Sequence, residues 1–178
     1  MTTLVADPPL RTAVVVGNPR PGSRTLAAAE HVARELSGSA ADLVVDLASV
    51  GPALLDWSSP EVADLVRAVG VSDLVVVASP TFKATYSGLL KLFLDRFDAG
   101  TGLPGLAVPL LLGAGPGHAL AAEVHLRPLL VELGATVPGP ALYVLDRAYE
   151  DPSAYADWLE RARPVVQAWA AGRTAVAR

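Results

Sequence analysis

The stretch TAVVVGNPRPGSRTLAAAEHVAREL, residues 12–36, decides the fold. It begins with the β-branched run TAVVVG at residues 12–17, which is typical of a buried strand. It ends with apolar residues at helical spacing from Thr25 to Leu36, which predict an amphipathic helix. A loop rich in glycine and proline joins the two segments. A strand, a loop and a helix in this order predict the first half of a βαβ unit.

The same alternation continues along the rest of the chain. Further strands are predicted over residues 42–47, 73–78, 106–112 and 141–145, and further helices over residues 60–69, 88–97, 117–133 and 153–171. This order predicts an α/β fold with a five-stranded parallel sheet and helices on both faces. Charges interrupt the run at 42–47, which favours an edge strand. Pro109 is awkward inside the fourth strand, whereas Ser59 and Pro60 are typical of a helix start.

Composition limits the class of protein. The chain has 178 residues, of which 52% are hydrophobic and 18% charged, and this predicts a single domain over residues 1–178. Its ends, residues 1–10 and 172–178, are expected to be flexible. The net charge of -4 argues against a nucleic-acid partner, and the absence of cysteine excludes disulfides and thiolate metal sites, so no metal is predicted. No segment reaches the ~20 apolar residues of a membrane span and the N-terminus is unlike a signal peptide, so we expect a cytoplasmic protein without a membrane partner.

Ligands of parallel sheets bind beyond the carboxyl ends of the strands, so the loops after strands one, three and four carry the candidate site. The first loop, GNPRPGSRT at 17–25, lacks the dinucleotide glycine fingerprint and the lysine of a P-loop. Its ligand groups are the hydroxyls of Ser23 and Thr25, the N–H groups of residues 22–25, and the charges of Arg20 and Arg24. Such a cradle favours a terminal phosphate group, and an ordinary turn capped by Ser23 or Thr25 is the alternative. Asp46 is interpreted as a strand-terminal acid rather than a ribose ligand.

The loop after the third strand reads SPTFKATYSG, residues 79–88. Phe82 and Tyr86 suit a flat ring as ligand, and the alternative is that they cover the helix that follows. The loop after the fourth strand, GAGPGH at 113–118, lets its backbone approach a ligand closely, so that its N–H groups can bond to the polar edge of a ring. His118 is interpreted as a capping or solvated residue rather than a proton donor.

Three segments together resemble the NADPH-dependent FMN reductase family, specifically the branch that supplies reduced flavin to sulfonate monooxygenases. They are GNPRPGSRT at 17–25, SPTFKATYSGLLKLFLD at 79–95 and LLGAGPGHALAAEVHLRPLLVEL at 111–133. The resemblance implies a flavodoxin-like fold that binds FMN and transfers hydride to it from NADPH or NADH. It also implies that Arg20, Ser23 and Thr25 hold the FMN phosphate, and that residues 80–83 and 113–115 border the isoalloxazine ring. The nicotinamide would then stack on the open flavin face.

The complete set of predicted cofactor-binding residues is Asn18, Arg20, Ser23, Arg24, Thr25, Pro80, Thr81, Phe82, Lys83, Tyr86, Gly113, Ala114 and Gly115. No catalytic acid or base is assigned, because hydride transfer needs stacking and little acid–base help. Lys83 is the candidate for a charge near the flavin or the nucleotide phosphate. The chain departs from the family at Asn18, where many members have serine, and at residues 124–125, where some carry tyrosine.

Alternative functions share these loops. One is a reductase that keeps FMN fixed and reduces quinones, azo dyes or metal ions. Another is a non-enzymatic electron carrier like flavodoxin, although the modest net charge of -4 argues mildly against it. A third is a binding domain that has lost its flavin. The sequence favours neither NADH nor NADPH.

The predicted helix at 117–133 is apolar on more than one face, so it needs a second surface to cover it. Pro128 lies inside it and cannot donate a hydrogen bond, which predicts a kink or bulge near Val124 and His125. We therefore expect this helix to form the interface of a homo-oligomer, a dimer or a tetramer. The alternative is a helix buried wholly within its own domain, with Pro128 a tolerated kink. The other expected partners are flavin, a nicotinamide nucleotide and a two-component monooxygenase.

Overall fold

The structure is a computed structural model that describes residues 10–176, and side chains as far as residue 172. The strands are β1 (Thr12–Val16), β2 (Leu43–Asp46), β3 (Leu74–Pro80), β4 (Leu106–Gly113) and β5 (Leu142–Leu145). The α-helices are α1 (Arg24–Ser37), α2 (Leu47–Val50), α3 (Pro60–Gly70), α4 (Gly88–Leu94), α5 (Arg127–Glu132) and α6 (Ser153–Val176). All strand pairs are parallel, in the order β2-β1-β3-β4-β5. The predicted fold class is confirmed, and β2 lies at an edge as expected.

The two faces of the sheet have separate cores. Along β1, Ala13 and Val15 belong to one cluster of buried residues, and Val14 and Val16 to the other, because successive side chains of a strand point to opposite faces. Helices α1 and α6 cover the second cluster, and the elements between β2 and β5 cover the first. Every residue of β1, β3 and β4 is buried, which explains their continuous apolar runs.

The helix ends follow local chemistry. Ser23 caps α1 by accepting a hydrogen bond from Leu26 N at 3.3 Å, and Ser59 caps α3 with Pro60 at its first position, as predicted. The short helix α2, capped by Asp46, was not predicted. Helix α4 ends at Leu94, earlier than predicted, and α6 continues beyond its predicted end to Val176. Residues 1–9 and 177–178, part of the ends expected to be flexible, lie outside the described residues.

Pro109 is accommodated inside β4 although it has no N–H group. Its nitrogen lies on a side of the strand where no neighbouring strand needs a hydrogen-bond donor at that position. Leu106 N donates to Asp73 O on the β3 side, whereas Ala107 N donates to Thr136 O on the opposite side. Alternation along the strand therefore turns the nitrogen of Pro109 toward the β5 side. Pairing with β5 begins only one residue later, at Leu110. The proline thus sits just before the ladder to β5 begins.

The helix predicted over residues 117–133 is interrupted, which corrects the expectation of one continuous helix. A 3₁₀ turn covers Pro116–His118, a π-helix covers Ala122–Leu126, and α5 follows. In the π-helix, Arg127 N donates to Ala122 O, five residues back. Since Pro128 has no N–H for the carbonyl of Val124, the wider turn replaces the regular ladder. The irregularity predicted near Val124 and His125 is confirmed.

Glu123 joins this π-helix to the beginning of β5. Its carboxylate accepts a hydrogen bond from Ala141 N at 2.7 Å and another from Arg127 at 2.5 Å. The hydrogen bond from Ala141, and secondarily the Arg127 guanidinium, lower the pKa of Glu123 from its ordinary value, although partial burial opposes them. Within residues 10–176, no helix has the length and apolar character needed to cross a membrane.

Replacing Glu123 by Gln should lower the free energy of unfolding at neutral pH by about 1 kcal/mol, because a charge-assisted contact at a partly exposed site becomes neutral. Because the folded-state pKa is lowered, the stabilisation is present above the ordinary glutamate pKa of ~4.3 and is lost as the pH falls through the folded-state value. Urea unfolding at about pH 7 and about pH 3 measures the gap between wild type and variant, which should nearly close in acid. Glu132→Gln on α5 is the control and should show no gap. A gap of equal size at both pH values would contradict this role.

Candidate functional site

The strand order brings three loops to one edge of the sheet. β1, β3 and β4 are consecutive neighbours, so the loops at residues 17–25, 79–88 and 113–118 leave the sheet side by side. We call the space between them the three-loop cleft. Such an edge is where open α/β sheets bind ligands.

Gly17 and Ser87 lock the first two loops together. Gly17 N donates to Ala78 O at 2.8 Å, and the Ser87 hydroxyl donates to Gly17 O at 2.5 Å. The same Ser87 oxygen accepts a hydrogen bond from Leu90 N, which caps α4. A Cβ at Gly17 would collide with Cβ of Leu90 and press on its backbone. Only glycine therefore lets β1 end this close to the first turn of α4.

Asn18 and Asp46 shape the first loop. The Asn18 side chain accepts from Arg20 N at 2.9 Å and donates to the Thr25 hydroxyl oxygen at 3.0 Å, so both ends of its amide are used inside the loop. The Asp46 carboxylate accepts from Gly22 N at 3.1 Å and from Ala48 N at 3.2 Å. These bonds agree with the interpretation of Asp46 as a strand-terminal acid. They also correct the expectation that the Gly22 N–H is free.

Three consecutive donors of this loop stay available. Within residues 10–176, the N–H groups of Ser23, Arg24 and Thr25 form no hydrogen bond. The hydroxyls of Ser23 and Thr25 are buried beside them, and each oxygen accepts one bond while its hydrogen remains free to donate. Arg24 is exposed, with its guanidinium 5.7 Å from the ring centre of Tyr149, and Arg20 is exposed as well. The arrangement suits an anion at the N-terminus of α1.

The second loop contains a strained hairpin. Phe82 N donates to Thr85 O at 2.8 Å, and Thr85 N donates back to Phe82 O at 3.2 Å. The two residues between them, Lys83 and Ala84, have φ of 51° and 67°, a left-handed conformation that costs a non-glycine residue about 1 kcal/mol or more. The turn holds Lys83 at its exposed tip. Strained turns of this kind are concentrated at functional sites.

The aromatic residues of the second loop differ in their surroundings. Phe82 is 48% exposed at the base of the hairpin. Tyr86 is half-buried and packs against the core cluster on the α4 side of the sheet. Tyr86 is thus engaged within the protein, whereas the exposed Phe82 is open to a ligand.

The third loop borders a cavity of about 400 Å³. Its lining consists of Thr81, Gly113, Ala114, Gly115, Gly117, His118 and Tyr143. Among the described residues, the N–H groups of Ala114 and Gly115 have no hydrogen-bond partner. Pro80 ends β3 opposite Leu112, and Thr81 N donates to Leu112 O at 2.6 Å. The Thr81 hydroxyl is buried and forms no hydrogen bond of good geometry within residues 10–176.

Tyr143 is a residue of this cavity that the sequence interpretation missed. It lies on β5, and its hydroxyl donates to Gly115 O at 2.7 Å. Burial raises the pKa of Tyr143; the Thr81 hydroxyl beside it lowers the pKa and the Asp146 carboxylate raises it. Asp46 and Ser87 were likewise not predicted to shape the cleft. The sequence offers a signal for Tyr143, because the hydroxyl of a tyrosine in a strand next to β4 usually needs a hydrogen-bond partner.

The structure brings the predicted site residues to one edge, but their situations differ. The loop residues around Ser23, Thr81 and Ala114 carry unpaired polar groups, whereas Asn18 and Tyr86 are engaged within the protein. His118 is exposed in a 3₁₀ turn. No cluster of histidine or acidic residues suited to a metal ion occurs in the described part of the chain.

Comparisons with known proteins agree on one family. The family described as NADPH-dependent FMN reductase matches residues 10–150. The FMN reductase (NADPH) of Escherichia coli strain K12 is 29% identical over 130 residues, which cover 71% of this chain and 68% of that protein. The NADH-dependent FMN reductase SfnF of Pseudomonas fluorescens strain Pf0-1 is 29% identical over 153 residues, 80% of each chain.

A solved structure gives the same result. The apo form of the NADH:FMN oxidoreductase EMOB is similar with a TM-score of 0.77 and 26% sequence identity. The similarity covers 92% of this chain and 89% of that one.

Proposed function

Since this chain belongs to the NADPH-dependent FMN reductase family, we propose that its three-loop cleft binds FMN and that NAD(P)H reduces the flavin there. The protein is an oxidoreductase that uses FMN with NADPH or NADH. The observation that carries the proposed site is the pair of unpaired N–H runs, Ser23–Thr25 in the first loop and Ala114–Gly115 in the third. The described residues fit both the phosphate and the ring of FMN, because the first loop offers N–H donors for the phosphate and the third loop offers N–H donors for the ring.

The first loop holds the phosphate in this proposal. Three consecutive N–H groups, the hydroxyls of Ser23 and Thr25, and the positive end of α1 all favour an anion. Arg20 and Arg24 supply charge at the rim. Asn18 acts by keeping the loop in shape rather than by direct contact, because its amide is already hydrogen-bonded on both sides.

The second and third loops hold the ring. Thr81 and the N–H groups of Ala114 and Gly115 line the cavity, and Pro80 and Phe82 come directly before and after Thr81 in the second loop. Gly113 also lines the cavity, and the Tyr143 hydroxyl occupies the space that its Cβ would need. When bound, FMN supplies the redox chemistry, since its ring accepts the hydride of a nicotinamide. The protein's own contribution is to orient the two rings and keep one flavin face open.

Lys83 is the residue proposed to contact the nucleotide. It stands at the tip of the strained hairpin, exposed and without an ion-pair partner among the described residues. An ammonium group that reaches out from the rim of the cleft suits a phosphate of NADPH or NADH. The strain of the turn is the cost of holding the charge in that position.

The apolar outer surface of the π-helix and α5 supports the proposal of a homo-oligomer, a dimer or a tetramer. Leu120, Val124 and Val131 are exposed by 72%, 55% and 52%. Arg127 and Glu123 flank a surface groove there. A second copy of this chain is the proposed occupant, because a self-complementary apolar patch is the usual basis of homodimers.

The physiological partner proposed for the reduced flavin is a two-component monooxygenase. This part rests on the resemblance of the three loops to the branch that serves sulfonate monooxygenases. A cytoplasmic location, where nicotinamide nucleotides are supplied, belongs to the same proposal.

Oxidation of NADH and NADPH, followed at their near-ultraviolet absorption, tests the function. Wild-type protein should oxidise the nucleotide only when FMN is present, with rates that saturate as free FMN increases. A rate independent of added FMN but dependent on a quinone or an azo dye would instead indicate a reductase with fixed FMN. Flavin binding without nucleotide oxidation would indicate an electron carrier, and no flavin binding would overturn the proposal.

The phosphate site predicts a difference between FMN and riboflavin. Replacing both Ser23 and Thr25 by Ala should weaken FMN binding about tenfold or more, since one lost charge-assisted hydrogen bond is worth ~1.5–3 kcal/mol. Riboflavin, which lacks the phosphate, should bind the variant and wild type alike. Fluorescence titration measures both affinities. Ser59→Ala removes the matching cap of α3 and controls for lost helix stability; equal affinity of wild type for the two flavins would contradict the assignment.

Lys83→Ala should raise the KM for the nicotinamide nucleotide about three- to tenfold, as expected for one exposed charge contact with a phosphate. Its melting temperature should stay close to that of wild type, because alanine keeps the Cβ and hence the backbone strain, and no ion pair is lost. Steady-state kinetics with NADPH and NADH measure the effect. Lys91→Ala, which removes the other lysine from the surface of α4, is the control. Unchanged kinetics in Lys83→Ala would show that the turn serves only structure.

Analytical ultracentrifugation tests the interface. Wild type should sediment as a dimer or tetramer at micromolar concentration, and Val124→Glu should sediment as a monomer, because a charge on this patch cannot be desolvated cheaply. Val165→Glu, at a comparably exposed position on α6, should leave the assembly intact. Leu126 is unsuitable for this test, since it is fully buried in its own subunit. A monomeric wild type would rule the interface out.

A further inference from the structure

Tyr143 connects β5 to the loop that borders the ring cavity. The phenol oxygen donates to Gly115 O at 2.7 Å, across the end of β4. It also occupies the space beside Gly113: a Cβ built there would collide with the Tyr143 hydroxyl. Glycine at 113 is therefore required by the position of the phenol.

The bond fixes the direction of one peptide group. The Gly115 carbonyl is held by the Tyr143 hydroxyl, and the next residue, Pro116, has no N–H to offer. The Gly115–Pro116 peptide thus has no donor, and one lone pair of its oxygen is already engaged. The preceding N–H groups of Ala114 and Gly115 carry the free hydrogen-bonding capacity of this part of the loop.

Thr81 completes the arrangement from the other side of the cavity. Its hydroxyl is buried beside Tyr143, and it forms no hydrogen bond of good geometry within the described residues. The Tyr143 oxygen, whose own hydrogen is used on Gly115, can accept the Thr81 hydrogen, so the Thr81 oxygen is left as an acceptor for a ligand in the cavity.

We propose that Tyr143 is a positioning residue for the flavin ring: it holds the Gly115 carbonyl on its hydroxyl and leaves the N–H donors of Ala114 and Gly115 for the ring. The inference rests on the proposed function, because it takes the cavity to be the ring site. Tyr143 itself need not touch the flavin. Without the phenol hydroxyl, the Gly115 carbonyl is free to turn, and an oxygen that then faces the carbonyl oxygens on the polar edge of the ring weakens binding.

The test compares Tyr143→Phe with Tyr155→Phe. The two variants lose matched bonds, since the Tyr155 hydroxyl also donates to a backbone carbonyl at 2.7 Å, that of Tyr149. Tyr155 belongs to the core cluster on the opposite face of the sheet. Both variants should therefore lose a similar amount of stability on heating. Only Tyr143→Phe should change how flavin is bound.

Fluorescence titration and the visible absorption spectrum of bound flavin are the readouts. Tyr143→Phe should weaken the binding of FMN and of riboflavin by the same factor, about three- to tenfold. The factor is the same because both flavins carry the ring at which the effect lies. Its bound flavin should show a shifted absorption band, whereas Tyr155→Phe should match wild type in affinity and spectrum.

Three results would overturn the inference. One is a Tyr143→Phe variant with wild-type affinity and spectrum. Another is loss of affinity for FMN alone, which would place the effect at the phosphate loop. The third is an equal loss of flavin affinity in Tyr155→Phe, which would show that lower protein stability, and not the position of the Gly115 carbonyl, weakens flavin binding. A wild type that binds no flavin would remove the proposed function, and the inference with it.

Discussion

The close packing of Gly17 against the first turn of α4 is the constraint on which the candidate site depends. Because Gly17 has no Cβ, Leu90 and Ser87 lie directly against the end of β1. Ser87 then serves both neighbours, donating to Gly17 O and accepting from Leu90 N. Each of these groups would be orphaned without the others, at a cost of about 1–3 kcal/mol per buried group. The first and second loops therefore have a fixed relation before any ligand arrives.

The first loop divides its polar groups between shape and binding. Asn18 and Asp46 use their side chains on the N–H groups of Arg20 and Gly22, and these bonds determine the path of the chain. The next three N–H groups are left unpaired at the start of α1. An acid close to an anion site is unfavourable in itself, but two backbone N–H groups donate to the Asp46 carboxylate and stabilise its charge. Because the loop is already ordered, binding a ligand loses less conformational entropy.

The edge strand β5 holds both the third loop and the π-helix in position. Glu123 attaches the π-helix to the beginning of β5, and Tyr143 on β5 attaches the third loop to the same strand. β5 thus connects the ring cavity with the apolar surface proposed as an interface. A shift of β5 would move both the ring cavity and the apolar surface, because the contacts to Ala141 and Tyr143 lie within a three-residue stretch of chain.

The sequence by itself determined the order of strands and helices, the parallel sheet with two covered faces, and the three loops that meet at its edge. Periodicity, helix caps and the irregularity at Pro128 are local signals, and local signals are readable without a structure. The choice between neighbouring polar groups was decided only by the tertiary structure. Asn18 and Ser23 are both predicted from the sequence to bind the cofactor, yet the side chain of Asn18 forms its hydrogen bonds within the loop. Asp46, Ser87 and Tyr143 acquire their roles from contacts 24, 70 and 28 residues away along the chain, and pairings at such separations follow from packing rather than from any local pattern.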